Sequence, residues 1–158
     1  MQILVDADAL PRMIKEIILR ASERLDIKTV FIANQPVTLP SSLLLSSIVA
    51  AAGPDEADDR IAEMAQSGDL VITQDTPLAD RVIDKGATVI GPRGELLTKD
   101  NIKQRLALRD MMDQLRSGGN DEIGGGPAAF KEKDRRTFAR EFDLFLTKNK
   151  HLLTIEII

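Results

Sequence analysis

Short β-branched runs alternate with segments of helical periodicity along this chain, and that alternation constrains its fold more than any other feature. Ile3, Leu4 and Val5 form a strand run that ends at Asp6, and Pro11 stands where a helix can begin, because proline is tolerated at the first helical position. Ile14, Ile17, Ile18, Ala21 and Leu25 then recur at the spacing of one apolar helix face. Thr29–Ile32 reads as a second strand, Asn34–Pro40 as a loop and Ser47–Ala51 as a third strand. Ala57, Ile61, Met64 and Ala65 restore helical spacing, and Ser67-Gly68-Asp69 breaks it. Leu70–Thr73 is the fourth strand run, a helix extends from about Pro77 to a stop at Gly86, and Thr88–Ile90 is the fifth strand.

Strands separated by helices require crossover connections, and hence a mostly parallel sheet covered on both faces. The expected fold is a Rossmann-like α/β three-layer sandwich with five strands. Its last helix is expected over Lys99–Arg116, with Thr98 as N-cap and Ile102, Leu106 and Met112 facing inward. Residues 1–116 form this body, and the glycine-rich stretch 117–129 reads as a linker. Residues 130–158 hold a further amphipathic helix and a tail. Phe138, Phe142, Phe145 and Leu146 make that helix's apolar stripe, and docking on the body, or on a second subunit in a homodimer, is what such a stripe implies.

The 158 residues suit one hydrophobic core, and 43% hydrophobic with 29% charged residues is the balance of a packed protein. With no Cys and one His, His151, thiolate zinc sites, disulfides and nearly all imidazole chemistry are excluded. Chemistry here rests on carboxylates. The opening MQILVDADAL has neither a basic n-region nor a long apolar stretch, so a cytoplasmic protein without membrane contact is expected. The net charge of −4 gives no global attraction to nucleic acid. Base is nevertheless concentrated over residues 127–151, where Lys131, Lys133, Arg135, Arg136, Arg140, Lys148 and Lys150 stand against Glu132, Asp134, Glu141 and Asp143.

In doubly wound sheets, ligands bind outside the carboxyl ends of the strands where the strand order reverses. For an order 3-2-1-4-5 that point lies between strands one and four, which are followed by Asp6 with Asp8 and by Asp75. Asp55 and Asp58, three apart, can share one side of the first turn of the helix entered at Gly53, beside Glu56 and Asp59. Capping accounts for part of this, since acids complement a helix N-terminus; Asp8, Asp55, Glu56 and Asp59 all admit that reading. Three carboxylates held about 4 Å apart repel by roughly 4 kcal/mol per pair at an effective dielectric of 20. Such a cluster calls for a cation. Oxygen ligands without His or Cys favour Mg2+ or Mn2+, and an open site of this kind suits phosphoryl chemistry.

VDADALP at the start, ANQ at 33–35, GPDEADDRI at 53–61, DLVITQDTPLA at 69–79, GPRGEL at 91–96 and RLALRDMMDQLR at 105–116 together resemble the bacterial YaiI/YqxD family. That family is similar in turn to the PIN-like superfamily, whose members are typically metal-dependent ribonucleases. The resemblance implies a PIN-like domain with catalytic, metal-holding Asp6, Asp58 and Asp75, with Asp8, Asp55 and Asp59 as accessory metal ligands. Two positions depart from the family pattern: Leu10 stands where the family usually shows Cys, and Pro127-Ala128-Ala129-Phe130 replaces a PPPF motif. The ending Leu152–Ile158 has strand propensity and no counterpart in the family.

A nuclease also needs cations for the phosphate backbone. Arg12, Arg93, Arg105, Arg109, Arg135 and Arg136 are the candidates, with Arg93 foremost because it follows strand five on the edge that holds Asp75. Solvated helix faces explain Arg105, Arg109 and the tail residues equally simply. There is no Trp or Tyr to stack bases. RNA is the expected partner. Two other readings fit the residues: an RNA-binding or assembly protein with a structural metal site, and a phosphatase in which Asp6 of the Asp6-Ala7-Asp8 run is the nucleophile.

Overall fold

The computed structural model describes residues 1–117 and 129–149. Strands β1 (Ile3–Asp6), β2 (Thr29–Ala33), β3 (Leu45–Val49), β4 (Leu70–Ile72), β5 (Thr88–Ile90) and β6 (Leu96–Leu97) form one sheet in the order β3-β2-β1-β4-β5-β6. Every pairing is parallel except β5 with β6, which is antiparallel. The helices are α1 (Arg12–Leu25), α2 (Pro54–Met64), α3 (Thr76–Asp84), α4 (Ile102–Ser117) and α5 (Glu132–Lys148).

Alternation along the strands builds the two cores. Leu4, Val30, Ile32, Val71 and Val89 point to the face covered by α2 and α3, where Ile61, Leu78 and Val82 are buried. Ile3, Val5, Phe31, Leu70, Ile72 and Ile90 point to the other face, which α1 and α5 cover with Ile14, Ile18, Phe138, Phe142 and Leu146. The result is the expected three-layer Rossmann-like sandwich. The rings of Phe138 and Phe142 stack with centroids 5.2 Å apart, so the aromatic stripe of α5 belongs to the core of the body. Gly94 lets that helix come close. Its φ is +89°, and a Cβ there would lie 2.6 Å from the backbone carbon of Thr137 on α5.

Three expectations need correction. The sheet has six strands, not five, because Leu96–Leu97 turns back on β5 through a bend in which the Gly91 N–H donates to the Glu95 carbonyl at 2.8 Å. Two residues are too few to show a period. The third strand is Leu45–Val49 rather than Ser47–Ala51, since its partner β2 ends at Ala33, opposite Val49. Thr98 does not cap the fourth helix. It opens a separate turn whose carbonyl accepts the N–H of Asn101 and of Ile102, and the helix begins only at Ile102.

The turn's Asn101 has a second effect. Its side chain donates to the Leu96 carbonyl at 2.8 Å and accepts the Thr98 N–H at 2.8 Å, which places a side chain against the outer edge of β6 and the residue that follows it. The expected linker at 117–129 falls almost wholly on residues 118–128, and these, like the tail from residue 150, lie outside the described residues.

Candidate functional site

β1 and β4 are parallel neighbours whose chains leave in opposite directions, β1 toward β2 and β4 toward β5, so a crevice opens at their carboxyl ends. Asp6 is the last residue of β1, and Asp75 stands three residues beyond the end of β4. Between them lies Thr73, which is buried. Its hydroxyl donates to Asp6 Oδ2 at 2.8 Å and accepts the Asp75 N–H at 3.1 Å. Asp75 is also the N-cap of α3, with Oδ1 accepting the Leu78 N–H at 2.9 Å. Both acids are therefore fixed by hydrogen bonds before any ligand arrives.

α2 brings the third acid. Asp58 lies one turn into that helix, and its carboxyl is pushed up to about 6, first by burial and then by the negative charges of Asp75, Asp6 and Asp55, with Arg81 opposing. Asp6 is also raised, chiefly by burial, against the lowering effect of the Thr73 hydroxyl; Asp8 and Asp75 add to the rise. Asp6, Asp58 and Asp75, from three separated stretches, thus share one electrostatic environment. Glu56, by contrast, accepts the Ala52 N–H at 2.6 Å and stabilises the start of α2. Asp8 accepts the Asn34 N–H on both oxygens, at 3.0 and 3.2 Å, which ties the loop after β1 to the end of β2.

A cleft of about 370 Å3 between α2, α3 and α4 is lined by Asp55, Asp58, Asp59 and Asp75 together with Arg81 and Arg109. Arg81 is bound to Asp59 at 2.8 Å, whereas Arg109 is only loosely held by Asp113 at 3.5 Å and Asp110 at 3.8 Å. The other arginines are placed elsewhere. Arg93 pairs with Asp134 at 3.0 Å and lies over the Phe130 ring at 5.9 Å, fastening the start of α5 to the β5–β6 bend. Arg105 pairs with Glu95 at 2.5 Å, Arg12 with Glu16 at 3.6 Å, and Arg135 with Glu132 along α5. Arg136 is exposed on the same helix.

Two members of the site escape a reading of motifs. Thr73 looks like the end of an apolar run, and its only signal is a hydroxyl two residues before an acid at the predicted edge. Arg81 follows Pro77 by one helical turn and shares its cleft-facing side, but its partner Asp59 lies on another helix.

The donor chemistry suits a hard cation. Oδ2 of Asp75 and both oxygens of Asp58 have no hydrogen-bond donor among the described residues. No three His, Cys, Asp or Glu side chains among those residues stand in a group that could hold a metal by themselves. Two carboxylates with water completing the shell is the ligand set Mg2+ ordinarily accepts.

Fold and site together define a doubly wound α/β protein with an acidic crevice at the reversal of its strand order. The sequence profile of the uncharacterised bacterial YaiI/YqxD family matches residues 4–148, and the chain belongs to that family. It is 48% identical over 149 residues to a UPF0178 protein of Maridesulfovibrio salexigens, covering 94% of this chain and 97% of the relative. UPF0178 proteins of Trichlorobacter lovleyi and Hahella chejuensis are 52% and 51% identical over 148 residues, covering 94% of this chain and 95% and 97% of the relatives. No solved structure matches the chain. Among the described residues no helix is long and apolar enough to cross a membrane.

Proposed function

We propose that this protein is a metal-dependent nuclease that hydrolyses phosphodiester bonds in RNA. The observation that carries the reading is the convergence of Asp6, Asp58 and Asp75 at the strand-order reversal, with the Asp58 carboxyl pushed up to about 6 by burial and its acidic neighbours. Mutual repulsion of this kind is relieved by a divalent cation. Asp6 and Asp75 would hold Mg2+ or Mn2+, with Asp58 completing or orienting the shell. Such an ion supplies an activated water and neutralises charge on the leaving oxygen.

The protein's own groups do the rest. Thr73 fixes the Asp6 carboxylate, and the Leu78 N–H fixes that of Asp75, so neither acid has to be ordered when substrate binds. Of the two arginines that line the cleft, Arg109, with its long ion pairs, is the guanidinium more easily exchanged onto a backbone phosphate. The PIN-like resemblance supports the same reading, as an analogy.

The test incubates wild type and Asp75→Asn, purified side by side, with single-stranded and structured RNA plus Mn2+. Cleavage by wild type alone, abolished by EDTA, is expected. Equal cleavage by both identifies a contaminant, and no cleavage by either favours a binding protein.

A further inference from the structure

We propose that the open edge of β3 is a homodimer interface, in which two copies pair antiparallel about Ser47 and join their sheets into one. The argument begins with the two edges of the sheet. At β6 the Asn101 side chain takes the Leu96 carbonyl and the N–H of Thr98 just beyond the strand. At β3 they are not. Leu44 and Ala50 bond inward to Thr29 and Ala33 of β2, so the backbone groups of the odd-numbered residues Leu45, Ser47 and Val49 turn outward. The Leu45 N–H is met by Ser42 at 3.4 Å; Ser47 and Val49 sit fully on the open edge.

Proteins that leave a strand edge in water usually protect it with charge, proline or a bulge. Here the reverse holds. In a chain that is 29% charged, no Asp, Glu, Lys, Arg or His occurs between Lys28 and Asp55, and β3 lies inside that span. Leu43, two residues before β3, is 106% exposed, and Val49 is 47% exposed. An uncharged strand whose Ser47 and Val49 backbone groups have no partner among the described residues, with exposed apolar side chains near both ends, is suited to being covered.

A second copy of the same strand is an occupant this edge can take without conflict. Leu45-Ser46-Ser47-Ile48-Val49 is centred on Ser47, and antiparallel pairing about that residue places Ser47 opposite Ser47, with Leu45 opposite Val49. Each Ser47 N–H then meets the other copy's Ser47 carbonyl, as in a hydrogen-bonded antiparallel pair. Continuing the register, the exposed Leu43 faces the small Ala51 of the other copy. No charge meets a like charge anywhere along the seam.

The chain contains no cysteine, which permits a direct test. Sedimentation of the wild type should give twice the 17.4 kDa monomer mass, and Ser47→Cys should cross-link to a dimer on mild oxidation, since hydrogen-bonded antiparallel partners have Cα atoms about 5.5 Å apart, within disulfide reach. Glu63→Cys, exposed on α2, should not cross-link. Ser47→Lys and Ser47→Glu should each be monomeric, with unchanged circular dichroism, and should form a one-to-one complex when mixed. A wild type that stays monomeric at all concentrations overturns the proposal. So does a dimer that survives both charged substitutions, which would place the interface elsewhere, or a larger complex that forms only with an added partner.

Discussion

The Thr73 hydroxyl reaches Asp6 Oδ2 at 2.8 Å and is itself met by the Asp75 N–H, so one buried side chain links the two acids at the strand-order reversal. Replacing Thr73 with Val keeps shape but removes the donor. Because that hydrogen bond lowers the Asp6 pKa against burial, Thr73→Val should raise it further. Carboxyl NMR titration measures the change, and an unmoved Asp6 titration would show the bond to be unimportant. The fold should lose about 1–3 kcal/mol, the usual cost of leaving a partly buried charged acceptor without its donor.

The Asp58 carboxyl gives stability a defined pH dependence. Its value in the folded protein, about 6, exceeds the ordinary 3.8, so the folded state binds the proton more tightly. That contribution is complete below about pH 4 and is lost as pH rises through 6. Asp58→Asn should therefore stabilise the protein more at pH 7 than at pH 4. Urea unfolding at the two values checks this, and equal effects at both would refute the shift.

Mn2+ should raise the melting temperature of the wild type, since a ligand of the native state adds about 2.7 kcal/mol at 100 times its dissociation constant. Asn caps helices as well as Asp does, so Asp75→Asn should keep α3 intact while losing most of the Mn2+ response. Cleavage of RNA should fall at least about 100-fold in the same variant, as expected when metal-centred stabilisation is removed. Equal Mn2+ responses in the two proteins would place the ion elsewhere.

Phe142 is 2% exposed and stacked on Phe138 between α5 and the sheet. Phe142→Ala should cost about 3–5 kcal/mol, the range for deletion of a buried aromatic. Denaturant unfolding measures it, and a loss below about 1 kcal/mol would show that α5 contributes little to the core.

What the sequence made legible follows from length and period. Strands β1, β2, β4 and β5 announce themselves as apolar runs because they are buried on both faces, and the acids after β1 and β4 follow once a doubly wound order is assumed. β6 is too short to carry a period. Arg93 shows the same limit of local spacing: its position after β5 points to the acidic edge, whereas its contacts with Asp134 and Phe130 lie far along the chain and leave no local signal. Thr73 and Arg81 were hidden because their partners Asp6 and Asp59 lie on other elements, and no local spacing records such contacts.

Asn101 gives growth of the sheet a stopping point. A protein with two receptive strand edges can add copies without end, and such addition leads to fibres. In the proposed dimer, pairing through β3 would use up that edge of each copy, while the Asn101 side chain on the Leu96 carbonyl and the Thr98 N–H would obstruct addition at β6. The size of the proposed assembly would then be limited by a single carboxamide at the margin opposite the seam.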